Sequence, residues 1–250
     1  MAIRLKNKTQ IEKMRESGRI VAEVLQLIEK NVRPGVTTAY LDGIAEEHIL
    51  KRGGIPSFKG YNDFPAAICA SVNEEIIHGI PGLRKLKSGD IISIDVGVYK
   101  DGFHGDAART FPVGDISDDL TNLIAVTKQS FFEALPFAIP GCRLHQISGA
   151  IQDYVESHGY SVVRAYVGHG IGRNLHEAPQ IPNYRDGKRG VTLCDGMALA
   201  VEPMVNVGTF EAKVLSDDWT VITKDKKCSA HYENTIVIVD GKPELLTVYE

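Results

Sequence analysis

Long apolar runs are missing from this 250-residue chain, and nothing in it approaches the roughly 18 apolar residues of a membrane span. The opening Met1-Ala2-Ile3-Arg4-Leu5-Lys6 has no apolar core of the signal-peptide kind, which sets the expectation of a cytoplasmic protein. Cysteine is scarce. Cys69, Cys142, Cys194 and Cys228 lie far apart with no CxxC pair, which excludes a cysteine-based zinc ribbon and reads as free thiols in a reducing compartment. Positive charge is not in excess: the net charge of −4 argues against DNA or another nucleic acid as the main partner. There is no GxSxG elbow and no GxxxxGK[ST] phosphate loop. Gly168-His169-Gly170-Ile171-Gly172 has the wrong spacing for a dinucleotide loop. His176-Glu177-Ala178-Pro179-Gln180 begins like a zinc-protease HExxH motif but lacks the second histidine. No flexible linker or low-complexity segment interrupts the chain.

What is present is a repeat. Pro34/Pro140, Gly35/Gly141, Leu41/Ile147, Gly43/Gly149, Ile49/Val155 and Gly53/Gly159 all stand 106 residues apart. Leu86-Lys87-Ser88-Gly89-Asp90-Ile91-Ile92-Ser93-Ile94-Asp95 aligns with Leu193-Cys194-Asp195-Gly196-Met197-Ala198-Leu199-Ala200-Val201-Glu202 at an offset of 107. Each half also carries His-Gly-Ile, at His78 and His169, which reads as a repeat pair. The expectation is one domain over 1–250, built from halves of about 1–125 and 126–250, with equivalent acids brought together around a two-fold axis. An apolar fraction of 43% is ample for its core.

Local patterns give the elements. Thr9-Gln10-Ile11-Glu12 has capping-box spacing, and Ile11, Met14, Val21, Val24, Leu25 and Ile28 then predict a helix over 9–31. Thr37 or Thr38 caps a second helix that ends at Gly53-Gly54. Further helices are expected from Asp119 to about Ala134 and near 144–158. Strands are expected at Ala67–Val72, Ile91–Val98, Phe103–Phe111, Ser161–Val167, Met197–Val201, Val214-Leu215, Thr220–Thr223 and Thr235–Val239. Helices followed by mainly antiparallel strands, twice over, indicate an α+β fold with helices backing a curved sheet.

With Asp101-Gly102 as a two-residue type I′ turn, Lys100 faces Phe103, Tyr99 faces His104, Val98 faces Gly105 and Gly97 faces Asp106. Asp95 then shares a face with Asp106 as its diagonal neighbour, and Gly97 is expected to leave space for an ion. Asp95 interrupts an apolar strand, and Glu202 does so at the matching position of the second half. Glu233 stands just before another apolar strand, and His169 is flanked by glycines. Buried unpaired carboxylates are costly, so Asp95, Asp106, His169, Glu202 and Glu233 point to divalent cations of the Mn, Fe, Co or Zn type. Two such ions, bridged by carboxylates, make a hydrolytic site. A competing reading takes His104, Asp106 and His169 as an iron oxygenase triad, but it leaves Asp95, Glu202 and Glu233 unexplained.

These segments, with His78-Gly79-Ile80-Pro81, Gly102-Phe103-His104-Gly105-Asp106, His176-Glu177, Val201-Glu202-Pro203-Met204 and Tyr232-Glu233-Asn234-Thr235, resemble the type I methionine aminopeptidases of peptidase family M24 over essentially the whole chain. The resemblance implies the pita-bread fold of two pseudo-symmetric halves and removal of the initiator methionine from new proteins when the second residue is small. It implies Asp95 chelating one ion, Asp106 and Glu233 bridging both, and His169 and Glu202 completing the other. It casts Glu202 as general base, His176 as oxyanion or amide partner, and His78 as a hydrogen-bond partner of the substrate or its leaving nitrogen. Tyr61, Phe64, Cys69, Leu175 and Trp219 match the methionine pocket, with Phe58 nearby. Leu175 stands where some members have an aromatic residue, Phe58 where some have cysteine and His231 where others have glutamine. Asn73 and Ser229 match a monovalent cation site of some relatives. The resemblance further implies a cytoplasmic monomer in transient contact with the ribosome. A proline-directed aminopeptidase of the same fold, expected to carry an N-terminal extension this chain does not show, and a non-catalytic peptide- or ribosome-binding adaptor are the alternatives.

Overall fold

A computed structural model describes residues 3–248. Four helices and a set of antiparallel strands form two similar units. In the first, α1 (Lys8–Glu29) and α2 (Thr38–Lys51) lie against a sheet in which Ile91–Lys100 pairs with Phe103–Pro112 on one edge and with Ile68–Val72 and Ile55–Pro56 on the other. In the second, α3 (Asp118–Ala134) and α4 (Leu144–Ser157) lie against a five-stranded sheet ordered Lys242–Leu245, Asn234–Val239, Ala198–Val201, Gly168–Gly170, Glu177–Ile181.

Strand alternation separates core from site. Ile92, Ile94, Val96 and Val98 point at the helices and pack on Ile20, Val24, Leu41 and Ile49. The intervening Asp95 and Gly97 therefore face the other way. The second half repeats this, with Leu199 and Val201 among Phe131, Ile147, Ile151 and Val155, so that Glu202 faces inward.

The hairpin register is the expected one, with Lys100 opposite Phe103 and Gly97 opposite Asp106. Asp101 (φ 51°) and Gly102 (φ 88°) both adopt the left-handed conformation that a type I′ turn demands. The repeat is equally visible in the backbone. Gly35 N donates to Leu86 O (2.8 Å) and Gly141 N to Leu193 O (3.0 Å); Leu86 N donates to Val36 O and Leu193 N to Cys142 O, both at 2.8 Å.

Several expectations are corrected. Asn7, not Thr9, caps α1: its side chain accepts from Gln10 N while Gln10 Oε1 accepts from Asn7 N, a reciprocal pair that starts the helix one residue earlier. The strand expected over Ser161–Val167 stops at Val162. Val163 N still bonds Met204 O, and the chain then bends at Arg164, whose guanidinium covers Phe210. Short strands at Glu75–Ile77, Gly168–Gly170, Glu177–Ile181, Met204–Asn206, Ser229–His231 and Lys242–Leu245 carry too few residues for a two-residue period to show.

Two threonines join the halves. Asp106 N donates to Thr235 Oγ1 (3.0 Å), which returns a bond to Asp106 O (2.9 Å). His231 N donates to Thr110 Oγ1 (2.8 Å), which returns a bond to His231 O (2.9 Å). Both pairs are related by a shift of 125 residues, the same shift that relates the Ile94–Arg109 and Val201–Asn234 ladder pairs when the strands 107 residues apart are superposed. Thr235→Val leaves a buried N–H and C=O of Asp106 unpaired, and should lower stability by about 1–3 kcal/mol in urea unfolding. Thr110→Val should behave alike, and a loss below about 0.5 kcal/mol in both would remove the threonines from the account of how the halves are held.

Candidate metal centre and its cavity

The inward faces of the two sheets enclose a cavity of about 250 Å³. Asp95, Asp106, His169, Glu202, Glu233, His78, His176, Tyr61, Phe64, Cys69, Leu175 and Trp219 all line it, together with Phe58 and Asn62. Asn62 is the lining residue that sequence reasoning missed. It follows Gly60 in a tight 3₁₀ turn, Tyr61–Asp63, and its positive φ of 48° suits Asn. The Gly60-Tyr61-Asn62-Asp63 composition was the available signal.

One ligand atom each from Asp106, His169 and Glu233 lies within 4.8 Å of the others, and all three residues are buried. His169 Nε2 is 3.9 Å from Asp106 Oδ2 and 3.7 Å from Glu202 Oε1. His169 sits in the strand Gly168–Gly170, where any side chain on either glycine would collide with a carbonyl: a Cβ would come within 2.4 Å of Ala200 O at Gly168 and 2.2 Å of Ala178 O at Gly170. The His169 ring is oriented by its Nδ1–H, which donates to Gly170 O at 2.9 Å and leaves the Nε2 lone pair for a cation. Asp95 Oδ1, Asp106 Oδ1 and Glu233 Oε1 are buried without any hydrogen-bond partner. Four carboxylates and a neutral imidazole lining one cavity, three of the acids with an orphaned buried oxygen, fit hard or borderline divalent ions.

Electrostatics agree with the geometry. Burial pushes the Asp95 carboxyl up to about 7. Asp106, Glu202 and Glu233 are raised well above the usual carboxylate range by burial first and by neighbouring acids second. His169 falls to about 3, through burial and then the nearby His176. His78 falls to about 4 for the same two reasons. Cys69, paired in register with Asp95, has its thiol pushed up by burial and then by that acid, so it presents a neutral, soft wall.

The remaining residues divide between wall and mouth. Phe64, Leu175 and Cys69 are buried, and Phe64 meets Trp219 edge-on with centroids 5.0 Å apart. His176 is exposed at the mouth, with its Nδ1 hydrogen-bonded to the Tyr61 hydroxyl at 2.9 Å. The next residue, Glu177, is pinned by Lys6 Nζ at 2.8 Å, with both side chains only 5% exposed. Asn73 and Ser229 are adjacent, Ser229 N donating to Asn73 O at 2.8 Å.

Two expectations fail here. Gly97 does not leave room for an ion: a Cβ there would meet the Phe58 ring at 2.6 Å and Ser57 Cβ at 2.8 Å, so the missing side chain makes room for Phe58. His78 is not the symmetry partner of His169. Ala200 pairs with His169, and its repeat equivalent Ser93 pairs with Ser71, so Ser71 holds the matching position. His78 lies on the returning segment beyond it, where Gly79 O accepts from Ala70 N.

The chain belongs to metallopeptidase family M24, whose family model matches residues 12–240. Its fold is accordingly the pita-bread fold. Within the family its relatives are methionine aminopeptidases. That of Clostridium acetobutylicum is 57% identical over 247 residues, covering 98% of this chain and 99% of that one. Methionine aminopeptidase 1 of Bacillus subtilis is 56% identical over 234 residues, covering 94% of each chain. The crystal structure of methionine aminopeptidase from Thermotoga maritima superposes with a TM-score of 0.97 at 44% identity, over 99% of this chain and 100% of that one.

Burial raises the Asp95 carboxyl to about 7 and the other three above the usual carboxylate range, so the cluster retains protons that it must lose to bind a cation. Cation binding at pH 7 should therefore release protons, and affinity should fall as pH is lowered. Calorimetric titration of chelator-stripped protein with Mn²⁺ in buffers of different ionisation enthalpy measures this. Heats independent of buffer would contradict the raised carboxyls.

Proposed function

We propose that this protein is a dinuclear metallo-aminopeptidase that removes the initiator methionine from new polypeptides whose second residue is small. The observation that carries the reading is the meeting, in one cavity, of five metal donors and a soft apolar wall. Asp95, Asp106, His169, Glu202 and Glu233 would hold two divalent ions, with Asp106 and Glu233 as the shared ligands. Such a pair, when bound, lowers the pKa of water to near neutrality and polarises a carbonyl. Four oxygen donors and one nitrogen suit Mn, Fe, Co or Zn.

The chain's own groups supply the rest. Glu202, inward-facing and only 12% exposed at its side chain, is the general base that takes the proton of the attacking water. The Tyr61 hydroxyl lies 2.9 Å from His176 Nδ1; with the phenol as donor, the imidazole hydrogen sits on Nε2, the tautomer that an oxyanion donor needs. His78, kept neutral by burial, can accept from or donate to the scissile amide or the leaving nitrogen. Phe64, Cys69, Leu175, Trp219 and Tyr61 surround the methionine thioether with polarisable and aromatic surface. In this reading the protein is a cytoplasmic monomer that meets emerging chains in transient contact with the ribosome.

Chelator-stripped protein given Mn, Co, Fe or Zn should regain release of free methionine from a Met-Ala-Ser peptide and leave an Ala-Pro peptide intact. Cleavage of the Ala-Pro peptide alone would move the protein to the proline-directed branch, and no cleavage with any metal would make it a binding protein. Asp106→Ala and Glu233→Ala should each abolish turnover. Normal activity and metal content in either variant would refute the ligand set. His176→Ala should lower kcat by about 10²-fold, as expected for a lost oxyanion donor, and an unchanged kcat would remove that role.

A further inference from the structure

We infer that His231 is a positioning residue of this centre, its Nε2–H set between Glu202 and Glu233 to hold both carboxylates in the orientation that receives the ion they share with His169. The inference rests on the ligand assignment above and goes beyond it, since His231 is not among the five donors.

Backbone symmetry singles this residue out. The shift of 125 residues that relates Thr110 to Thr235 also relates Asp106 to His231. Each of the two is clamped at both backbone groups by the threonine of the opposite half. His231 thus occupies the place in the second half that Asp106 occupies in the first, and its backbone position is equally well fixed. It is 2% exposed, and its Nε2 is buried with no hydrogen-bond partner.

The surroundings of Nε2 name its role. It stands 3.9 Å from Glu202 Oε2 and 3.9 Å from Glu233 Oε2. Glu202 is therefore approached from two sides, by His169 at Oε1 and by His231 at Oε2. The 3.9 Å separation lies beyond hydrogen-bonding range, about 2.7–3.2 Å, and the last bond of a glutamate is a soft torsion through which a carboxylate oxygen can approach. An imidazole that ligates a metal usually gives its other N–H to a carbonyl or carboxylate, as His169 does. His231 makes no such bond through Nδ1 among the described residues, which favours a donor to the acids over a sixth ligand.

The test uses the full chain, stripped by chelator and titrated with MnCl₂ in a calorimeter. Wild type should bind two ions. His231→Gln, whose amide can still donate to a carboxylate, should bind both ions within about threefold of wild type, whereas His231→Leu should weaken Mn²⁺ binding by about 10–100-fold, since Glu202 and the shared ligand Glu233 both lose their support. A cooperative thermal unfolding transition of the metal-free His231→Leu protein, with wild-type circular dichroism, shows that the variant is folded. Cobalt-loaded His231→Gln should keep the visible absorption bands of cobalt-loaded wild type, because the ligand set is the same. His231→Leu with two wild-type affinities would overturn the inference. So would a His231→Gln variant as weak as His231→Leu with altered cobalt bands, since His231 would then be a ligand. Wild-type protein that binds no Mn²⁺ would instead bring down the ligand assignment, and the inference with it.

Discussion

Mutual repulsion among four carboxylates governs this molecule. Asp95, Asp106, Glu202 and Glu233 turn into one cavity, where burial removes the water that would stabilise their charge. Left to themselves they hold their protons to higher pH than exposed carboxyls do. Divalent cations would oppose that repulsion, and would give the orphaned oxygens of Asp95, Asp106 and Glu233 partners. The rest of the fold can be understood as the means of holding these acids together against their preference to separate.

The holding device is a duplicated scaffold whose halves grip each other by backbone. Thr110 and Thr235 each bond both the N–H and the C=O of a residue in the opposite half. These contacts are symmetric, but the side chains they carry are not. Asp106 is matched by His231, Ala108 by Glu233, and Ser71 by His169. Asymmetry of side chains on a symmetric frame gives the cavity two different ends, with Phe64, Cys69 and Trp219 on the apolar wall and His176 at the mouth.

Most of the centre could be read from local patterns because local physics creates them. A two-residue Asp-Gly turn sets the hairpin register, and register places Asp95 and Asp106 on one face. Apolar strands broken by an acid advertise Asp95 and Glu202, because a carboxylate in such a strand is buried at a cost unless something pairs with it. The failures were of another kind. Gly97 was read from its cross-strand neighbour alone, while Phe58 and Ser57 arrive from a different element. His78 and His169 share a tripeptide, yet His169 lies within the strand Gly168–Gly170 while His78 lies just beyond the strand Glu75–Ile77, so a shared tripeptide does not mark equivalent places in the two halves. Asn7 displaced Thr9 as cap because the choice among nearby polar residues is made by backbone geometry that spacing does not specify. Asn62 had only a turn composition to announce it.

By itself the sequence determined the alternation that puts acids on one face of each sheet, the turn that sets their register, the helical stripes that back them and the scarcity of cysteine that leaves carboxylates and histidine as the metal donors. These are consequences of covalent order over a few residues. Tertiary structure alone decided that the two inward faces meet, that Phe58 fills the gap beside Gly97, that Tyr61 reaches His176 across 115 positions, and that His231 comes to stand between two glutamates. Such contacts depend on how two sheets dock, and docking is set by the summed packing of the cores behind them, which no short stretch of sequence encodes.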